Sequence, residues 1–164
     1  MLFRSKTDWE VEIAFVIGKK GKNIPLPDAE NYIFGYCLVC DFSEREWQKN
    51  RSGQWIKGKS SDTFGPVGPY IVTKDEIKDL YNLNMSLDVN GKRMQTGNTS
   101  KMIHKMNFLT SYASEFMTLM PGDIITTGTP PGVGDSMKPP TYLKRGDVVS
   151  LTIDQLGSQK HSVK

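Results

Sequence analysis

Apolar residues fall along this chain in short, dense runs separated by turn formers. Val11-Glu12-Ile13-Ala14-Phe15-Val16-Ile17 is β-branched and aromatic and ends at Gly18. It is apolar at both parities, which predicts a core strand carrying acids at its start. Tyr32 to Cys40, interrupted by Gly35, predicts a second buried strand or strand pair, reached through the proline-punctuated loop Asn23-Ile24-Pro25-Leu26-Pro27. Ser43-Glu44-Arg45-Glu46 has the spacing of a capping box, with Ser43 as N-cap and Glu46 three residues on, and predicts a short helix to about Lys49. Gly58 to Pro66 reads as loop and Pro69-Tyr70-Ile71-Val72 as strand. Leu87 to Met94 reads as a hairpin, because Asn90-Gly91 tolerates the positive φ angles of a type I′ turn. Met102, Met106, Leu109, Tyr112, Ala113 and Phe116 recur at helical spacing and predict an amphipathic helix from about Lys101 to Leu119, its stripe turned to the core. Pro121-Gly122-Asp123 turns into a strand from Ile124 to Thr127, and Asp147 to Ile153 alternates like another. The sum is a strand-rich α+β chain with one longer helix.

The length of 164 residues fits a single domain, 1–164, large enough to bury a core without staples. Cys37 and Cys40 share a C-x-x-C spacing inside an apolar run, with no second cysteine pair and no neighbouring histidine, so they read as buried free thiols. No apolar stretch approaches the roughly 20 residues a bilayer needs, and Met1 to Thr7 does not read as a signal peptide. A cytoplasmic protein without a membrane partner is expected. The net charge of +3 is mild and the lysines are scattered, so a nucleic-acid partner, which would call for a concentrated basic face, is not expected. Lys19-Lys20-Gly21-Lys22 reads as a solvated turn.

Candidate chemistry begins in Asp8-Trp9-Glu10-Val11-Glu12 and at Asp41, which closes the second apolar run. A strand turns alternate side chains to one face, so Glu10 and Glu12 project together, with Cα atoms about 6.5 Å apart. Three converging carboxylates with no matched cations repel one another and raise one another's pKa unless a hard divalent cation supplies the missing charge. The expectation is a Mg²⁺ or Mn²⁺ site at Glu10, Glu12 and Asp41. The wet face of an edge strand is the competing explanation of an E-x-E pattern. Arg45 and Gln48, three apart on the short helix, share a face just beyond Asp41.

Taken together, several blocks resemble the fumarylacetoacetate hydrolase family. They are Asp8 to Glu12 with Val16-Ile17-Gly18-Lys19, Gly35-Tyr36 to Asp41 with Ser43 to Gln48, and Lys57-Gly58-Lys59-Ser60-Ser61-Asp62-Thr63-Phe64-Gly65-Pro66. Asn90-Gly91 with Gln95-Thr96-Gly97-Asn98-Thr99, and Pro121-Gly122-Asp123 with Thr127-Gly128-Thr129-Pro130-Pro131-Gly132-Val133-Gly134, complete the set. The blocks keep their order from Asp8 to about Val163. The resemblance implies a barrel-like roll of mixed sheets and a homodimer. By it, Glu10, Glu12 and Asp41 match the metal ligands and Lys59 the catalytic lysine that reaches the substrate. Arg45 and Gln48 match polar residues near a bound keto acid, and Thr129 the position that hydrogen-bonds the substrate carboxylate.

The activity this implies is divalent-metal-dependent hydrolysis of a carbon-carbon bond in a small 2,4-dioxo, acylpyruvate-like acid through an enolate. Isomerisation or hydration of a hepta-dienedioate, and decarboxylation of oxaloacetate, share the same enolate step. Hydrolytic members of the family carry a histidine-glutamate dyad in an N-terminal lid, and neither His104 nor His161 occupies a matching motif. Leu2-Phe3-Arg4-Ser5-Lys6-Thr7 abuts Asp8 where the family has a longer loop, so the lid segment is expected to be missing from the sequence as given. A keto-acid-binding paralogue without catalysis is the alternative from a different class.

Overall fold

The computed structural model of the protein describes residues 6–164. Of the segment Leu2 to Thr7, which abuts Asp8 where the family has a longer loop, Leu2 to Ser5 lie outside the described residues. The described residues form ten strands: β1 (Thr7–Asp8), β2 (Val11–Ile17), β3 (Ile33–Cys40), β4 (Ser43–Glu44), β5 (Val72–Thr73), β6 (Asn84–Val89), β7 (Lys92–Asn98), β8 (Ile124–Thr126), β9 (Val148–Ile153) and β10 (Gly157–Ser162). Three helices accompany them: α1 (Arg45–Asn50), α2 (Ile56–Lys59) and α3 (Met106–Phe116). The strands form a four-stranded sheet in the order β5-β3-β2-β8, a second in the order β10-β9-β6-β7, and a small ribbon, β1-β4. Every ladder among the described residues runs antiparallel. The strand-rich α+β class expected from the sequence is the class observed.

The two larger sheets share one apolar core. Val11, Ile13, Phe15 and Ile17 from β2 join Leu38 from β3, Leu87 from β6, and Val149, Leu151 and Ile153 from β9 in a single buried cluster. All seven residues of β2 are buried, as its unbroken apolar run predicts. The opposite face of β2 and β3 carries a second, smaller apolar cluster of Ala14, Val16, Cys37 and Val39. The pleat therefore sends Cys37 and Cys40 to opposite faces. Both thiols are buried and unpaired, and burial pushes Cys37 up to about 11 and Cys40 well above its usual value.

Several elements depart from the pattern reading. The N-cap of α1 is Glu44 rather than Ser43, because the helix begins one residue later and the Glu44 carboxylate accepts from the Glu46 amide, while the Ser43 hydroxyl donates to the Asp41 carbonyl. The strand expected at 69–72 shrinks to β5, whose pairing to β3 covers only Val72 and Thr73. Lys59 closes the short helix α2 instead of lying in a loop. The proline-rich loop runs on into a 3-10 segment, Leu26–Tyr32, and β10 has no apolar run to announce it. The long helix is shorter than its stripe, and its buried residues are Met106, Thr110 and Ser114. Tyr112 and Phe116 are exposed, forming with His104 and Phe108 a ladder of ring contacts at 4.6, 5.8 and 5.0 Å. Helical spacing identifies a face and not its occupant. No described helix is long and apolar enough to cross a membrane.

Candidate metal centre

The register between β2 and β3 assembles the acids. Val11 stands opposite Cys40, and one step outward the Asp41 amide donates to the Glu10 carbonyl at 2.9 Å. Glu10, Glu12, Ala14 and Val16 have the same parity on one strand, as Cys37, Val39 and Asp41 have on the other. The three carboxylates thus sit at the end of the small apolar cluster. They bring one ligand oxygen each within 4.8 Å of one another. Octahedral ligands at about 2.1 Å from a small divalent ion lie roughly 3 to 4.2 Å apart, so slight contraction would suffice. An all-oxygen donor set with no cysteine or histidine suits Mg²⁺ or Mn²⁺ rather than zinc or copper.

The surrounding cations are few and unevenly placed. Arg45, on the first turn of α1, directs Nε at 2.9 Å and a terminal nitrogen at 2.8 Å to Asp8 Oδ2. The same terminal nitrogen reaches Glu10 Oε1 at 2.5 Å, and the other donates to Gln48 Oε1 at 2.9 Å. Lys59 Nζ donates to Glu10 Oε2 at 2.8 Å and Asp41 Oδ2 at 2.5 Å. α2 can deliver Lys59 because Gly58 lies flush on α1, where a Cβ would stand 2.6 Å from the Gln48 Cβ. Four carboxylates, Asp8, Glu10, Glu12 and Asp41, thus share two cations among the described residues. The deficit equals the charge of one divalent ion.

That deficit falls on Glu12. Its carboxylate accepts from the Gly128 amide at 2.9 Å, and burial together with the charge of Asp41 pushes its pKa up to about 7. Burial also raises Asp41 against the opposing pull of Lys59. In the absence of further positive charge the low-dielectric end of the sheet disfavours a full set of ionised acids.

The loop that follows β8 faces the same acids. Thr127 Oγ1 donates to the Ile13 carbonyl and Thr129 Oγ1 to the Val11 carbonyl, at 2.7 and 2.8 Å. Gln95, buried on β7, accepts from the Val11 amide at 3.0 Å and donates to Thr129 Oγ1 and the Pro130 carbonyl, each at 2.8 Å. Thr129 is therefore held from two sides beside β2. Gly132 and Gly134 allow close approach: a Cβ would stand 2.1 Å from the Met94 carbonyl oxygen at the first and 1.9 Å from the Thr141 carbonyl oxygen at the second.

Residues 3–164 match the family model described as fumarylacetoacetate (FAA) hydrolase, C-terminal. The chain belongs to the fumarylacetoacetate hydrolase family. A relative from Burkholderia cenocepacia, ascribed a hydrolase activity with no stated substrate, is 54% identical over 160 residues, covering 97% of this chain and 57% of its own length. The fumarylacetoacetate hydrolase of the psychrophile Exiguobacterium antarcticum superposes with a TM-score of 0.94 at 39% identity, covering 99% of this chain and 58% of that one. The 2-hydroxyhepta-2,4-diene-1,7-dioate isomerase of Mycobacterium marinum gives 0.86 at 40%, covering 97% and 59%. The fumarylpyruvate hydrolase of Pseudomonas aeruginosa, solved in complex with Mn²⁺ and pyruvate, gives 0.88 at 30%, covering 99% and 69%. The chain spans just over half the length of the curated relatives it matches.

Within this family domain the structure brings Glu10, Glu12, Asp41, Arg45, Gln48 and Lys59 into one contact network. Thr129 joins them through Val11 and Gln95. His104 stacks on Phe108 at 4.6 Å, and His161 lies edge-on to Phe42 and 2.8 Å from Gln159 Oε1 with its pKa lowered by burial, contacts that lie outside the network. Sequence reasoning did not single out Asp8 or Gln95 as site residues. Asp8 sat inside the acidic motif, yet only its full burial and its partners reveal what it does. Gln95 carries no local pattern of its own.

Proposed function

We propose that this chain is the metal-binding catalytic domain of an enzyme that hydrolyses a carbon-carbon bond in a small acylpyruvate-like acid. The convergence of Glu10, Glu12 and Asp41 beside Lys59 carries this reading, and the solved relative holding Mn²⁺ and pyruvate supports it. Hydrolysis adds water to the distal keto carbon, breaks the bond between it and the methylene, and places the electron pair in the enolate of pyruvate, which is then protonated at carbon. A divalent cation held by the three carboxylates would supply Lewis-acid stabilisation of the enolate oxygen. Lys59 presents an ammonium donor at the edge of the acid cluster, where it can turn toward charge developing on a substrate oxygen. Thr129, held by Gln95, would offer its hydroxyl hydrogen to a substrate carboxylate by turning it from the Val11 carbonyl to which it now donates. Arg45 and Gln48 complete the polar wall.

The isomerase relative favours a second reading, in which a hepta-dienedioate loses a proton to give a dienolate at the same site and regains one at another carbon, with no water added and no carbon-carbon bond broken. Assembly as a homodimer belongs to the proposal and is checked by sedimentation equilibrium. The deciding experiment is calorimetric titration of oxalate, an enolate mimic, with and without Mg²⁺ or Mn²⁺, on the protein and its Glu12→Gln variant. Metal-dependent binding lost in the variant is the expected result, followed by turnover of acylpyruvates or of the dienedioate to separate the two reactions. Absence of binding under every condition would overturn the reading and bring forward a paralogue without catalysis.

A further inference from the structure

Asp8 is fully buried, yet both oxygens of its carboxylate accept hydrogen bonds. Oδ1 accepts from the Trp9 amide at 2.8 Å and the Gly134 amide at 2.7 Å, while Oδ2 accepts from the Asp135 amide at 3.0 Å and from Arg45. Three backbone donors and a guanidinium satisfy it, so its negative charge is kept inside without exposure to water. Next to it the Trp9 indole donates to the Gly132 carbonyl at 3.1 Å. Residues 8 and 9 thereby clasp the 132–135 stretch of the loop that carries Thr129.

The other side of Asp8 faces Arg45. A guanidinium has five N–H groups. Here Nε donates to Asp8 Oδ2, one terminal nitrogen donates to Glu10 Oε1 while lying 2.8 Å from the same Asp8 oxygen, and the other terminal nitrogen donates to Gln48 Oε1. Asp8 Oδ2 anchors the Nε edge of the group and so places the adjacent terminal nitrogen beside Glu10 Oε1. Arg45 has all three nitrogens engaged by protein partners in this arrangement. Its principal effect is to orient Glu10.

We infer that Asp8 is a positioning residue: acting through Arg45, it orients the Glu10 carboxylate for a divalent cation, and through Gly134 and Asp135 it holds the substrate-facing loop in register with the acids. This rests on the metal reading of Glu10, Glu12 and Asp41. Partners that orient metal-binding side chains typically change metal affinity by 10–100-fold when removed.

The test is Mn²⁺ affinity, measured by calorimetry and by the electron paramagnetic resonance spectrum of the bound ion, on the full chain and on Asp8→Asn, Arg45→Lys and the double variant. Each single variant is expected to bind Mn²⁺ about 10–100-fold more weakly with an altered spectrum. The double variant is expected to bind no more weakly than the poorer single one, because both act on one path to Glu10. Folded Asp8→Asn protein with unchanged affinity would overturn the inference, and so would losses that multiply. Should Asp8→Asn not fold, Arg45→Lys decides alone: the charge is kept but one ammonium replaces the fork, and wild-type affinity would refute the role. If the unaltered protein binds no Mn²⁺, the metal reading itself fails and this inference with it, an outcome distinct from equal binding by all forms.

Discussion

The two halves of the acid cluster are built on opposite principles. Around Asp8 and Glu10 every carboxylate oxygen has a donor, two cations are in contact, and the group is held from α1, α2 and the glycine loop. Around Glu12, two residues along the same strand, there is one backbone amide, an apolar cluster and a second acid. The first half is compensated and rigid. The second is short of positive charge, and the shortage is what makes the site attractive to a cation. A site that were compensated throughout would be an ordinary buried ion-pair network, and one compensated nowhere would not stay folded around ionised acids.

The largest way to break this contrast is Arg45→Met, which strands Asp8 and Glu10. Removing one partner of a buried charge network costs about 3–5 kcal/mol, so urea denaturation should show a loss of that order. A loss below 1 kcal/mol would mean that the compensated half is not compensated by Arg45. The deficient half behaves oppositely. Glu12→Gln keeps an acceptor for the Gly128 amide and removes a charge that the folded state resists.

The pH dependence has a definite sign. Glu12 holds its proton more tightly in the folded state than in the unfolded chain, so the metal-free protein loses stability as pH rises from about 4.5 to about 7. The Glu12→Gln variant does not take part in that loss. Its advantage over the wild type should be small at pH 4.5 and grow to a plateau above pH 7, approaching roughly 3 kcal/mol at about 1.4 kcal/mol per pKa unit. Thermal melts of both proteins across that range, repeated at saturating Mn²⁺, check it, because metal should stabilise the wild type selectively and shrink or reverse the gap. A gap independent of pH would refute the account of Glu12.

Gly58→Ala sharpens the comparison from another side. A Cβ at 2.6 Å from Gln48 would push α2 off α1, at a cost of about 1–3 kcal/mol, and carry Lys59 away from both halves. Denaturation with Mn²⁺ titration reads both effects. The smallest stability effect is expected for Lys59→Met. Its ammonium is partly exposed to water, so the folding free energy should move by about 1 kcal/mol or less. Mn²⁺ affinity should be kept or increased, because the ammonium and the cation draw on the same oxygens of Glu10 and Asp41. A loss of Mn²⁺ binding in Lys59→Met would show that Lys59 organises the acids rather than sharing them.

Much of this was legible in the chain because it rests on local rules. The run from Val11 to Ile17 could only be a buried strand, Asn90-Gly91 turns with φ of 52° and 78° as a type I′ hairpin demands, and Glu10, Glu12 and Asp41 converge because parity in paired strands is arithmetic. Other features depended on competition between distant partners. Ser43 lost its cap to Glu44 because its hydroxyl turned to the Asp41 carbonyl and the Glu44 carboxylate took the helix amide. Tyr112 and Phe116 matched the helical stripe but faced outward, since periodicity specifies an angle around an axis and packing decides which angle is inside.

The amino-acid sequence by itself determined the strand-rich class, the order of the family blocks and the residue types that could hold a hard cation. Only the tertiary structure decided how the charges are shared: that Arg45 is spent on Asp8, Glu10 and Gln48, that Lys59 bridges Glu10 and Asp41, and that Glu12 forms no ion pair among the described residues and feels Lys59 only at a distance. The reason is physical. Backbone geometry and hydrophobic period act over a few neighbouring residues, whereas the energy of a charge depends on every group within several ångströms and on the water excluded from between them.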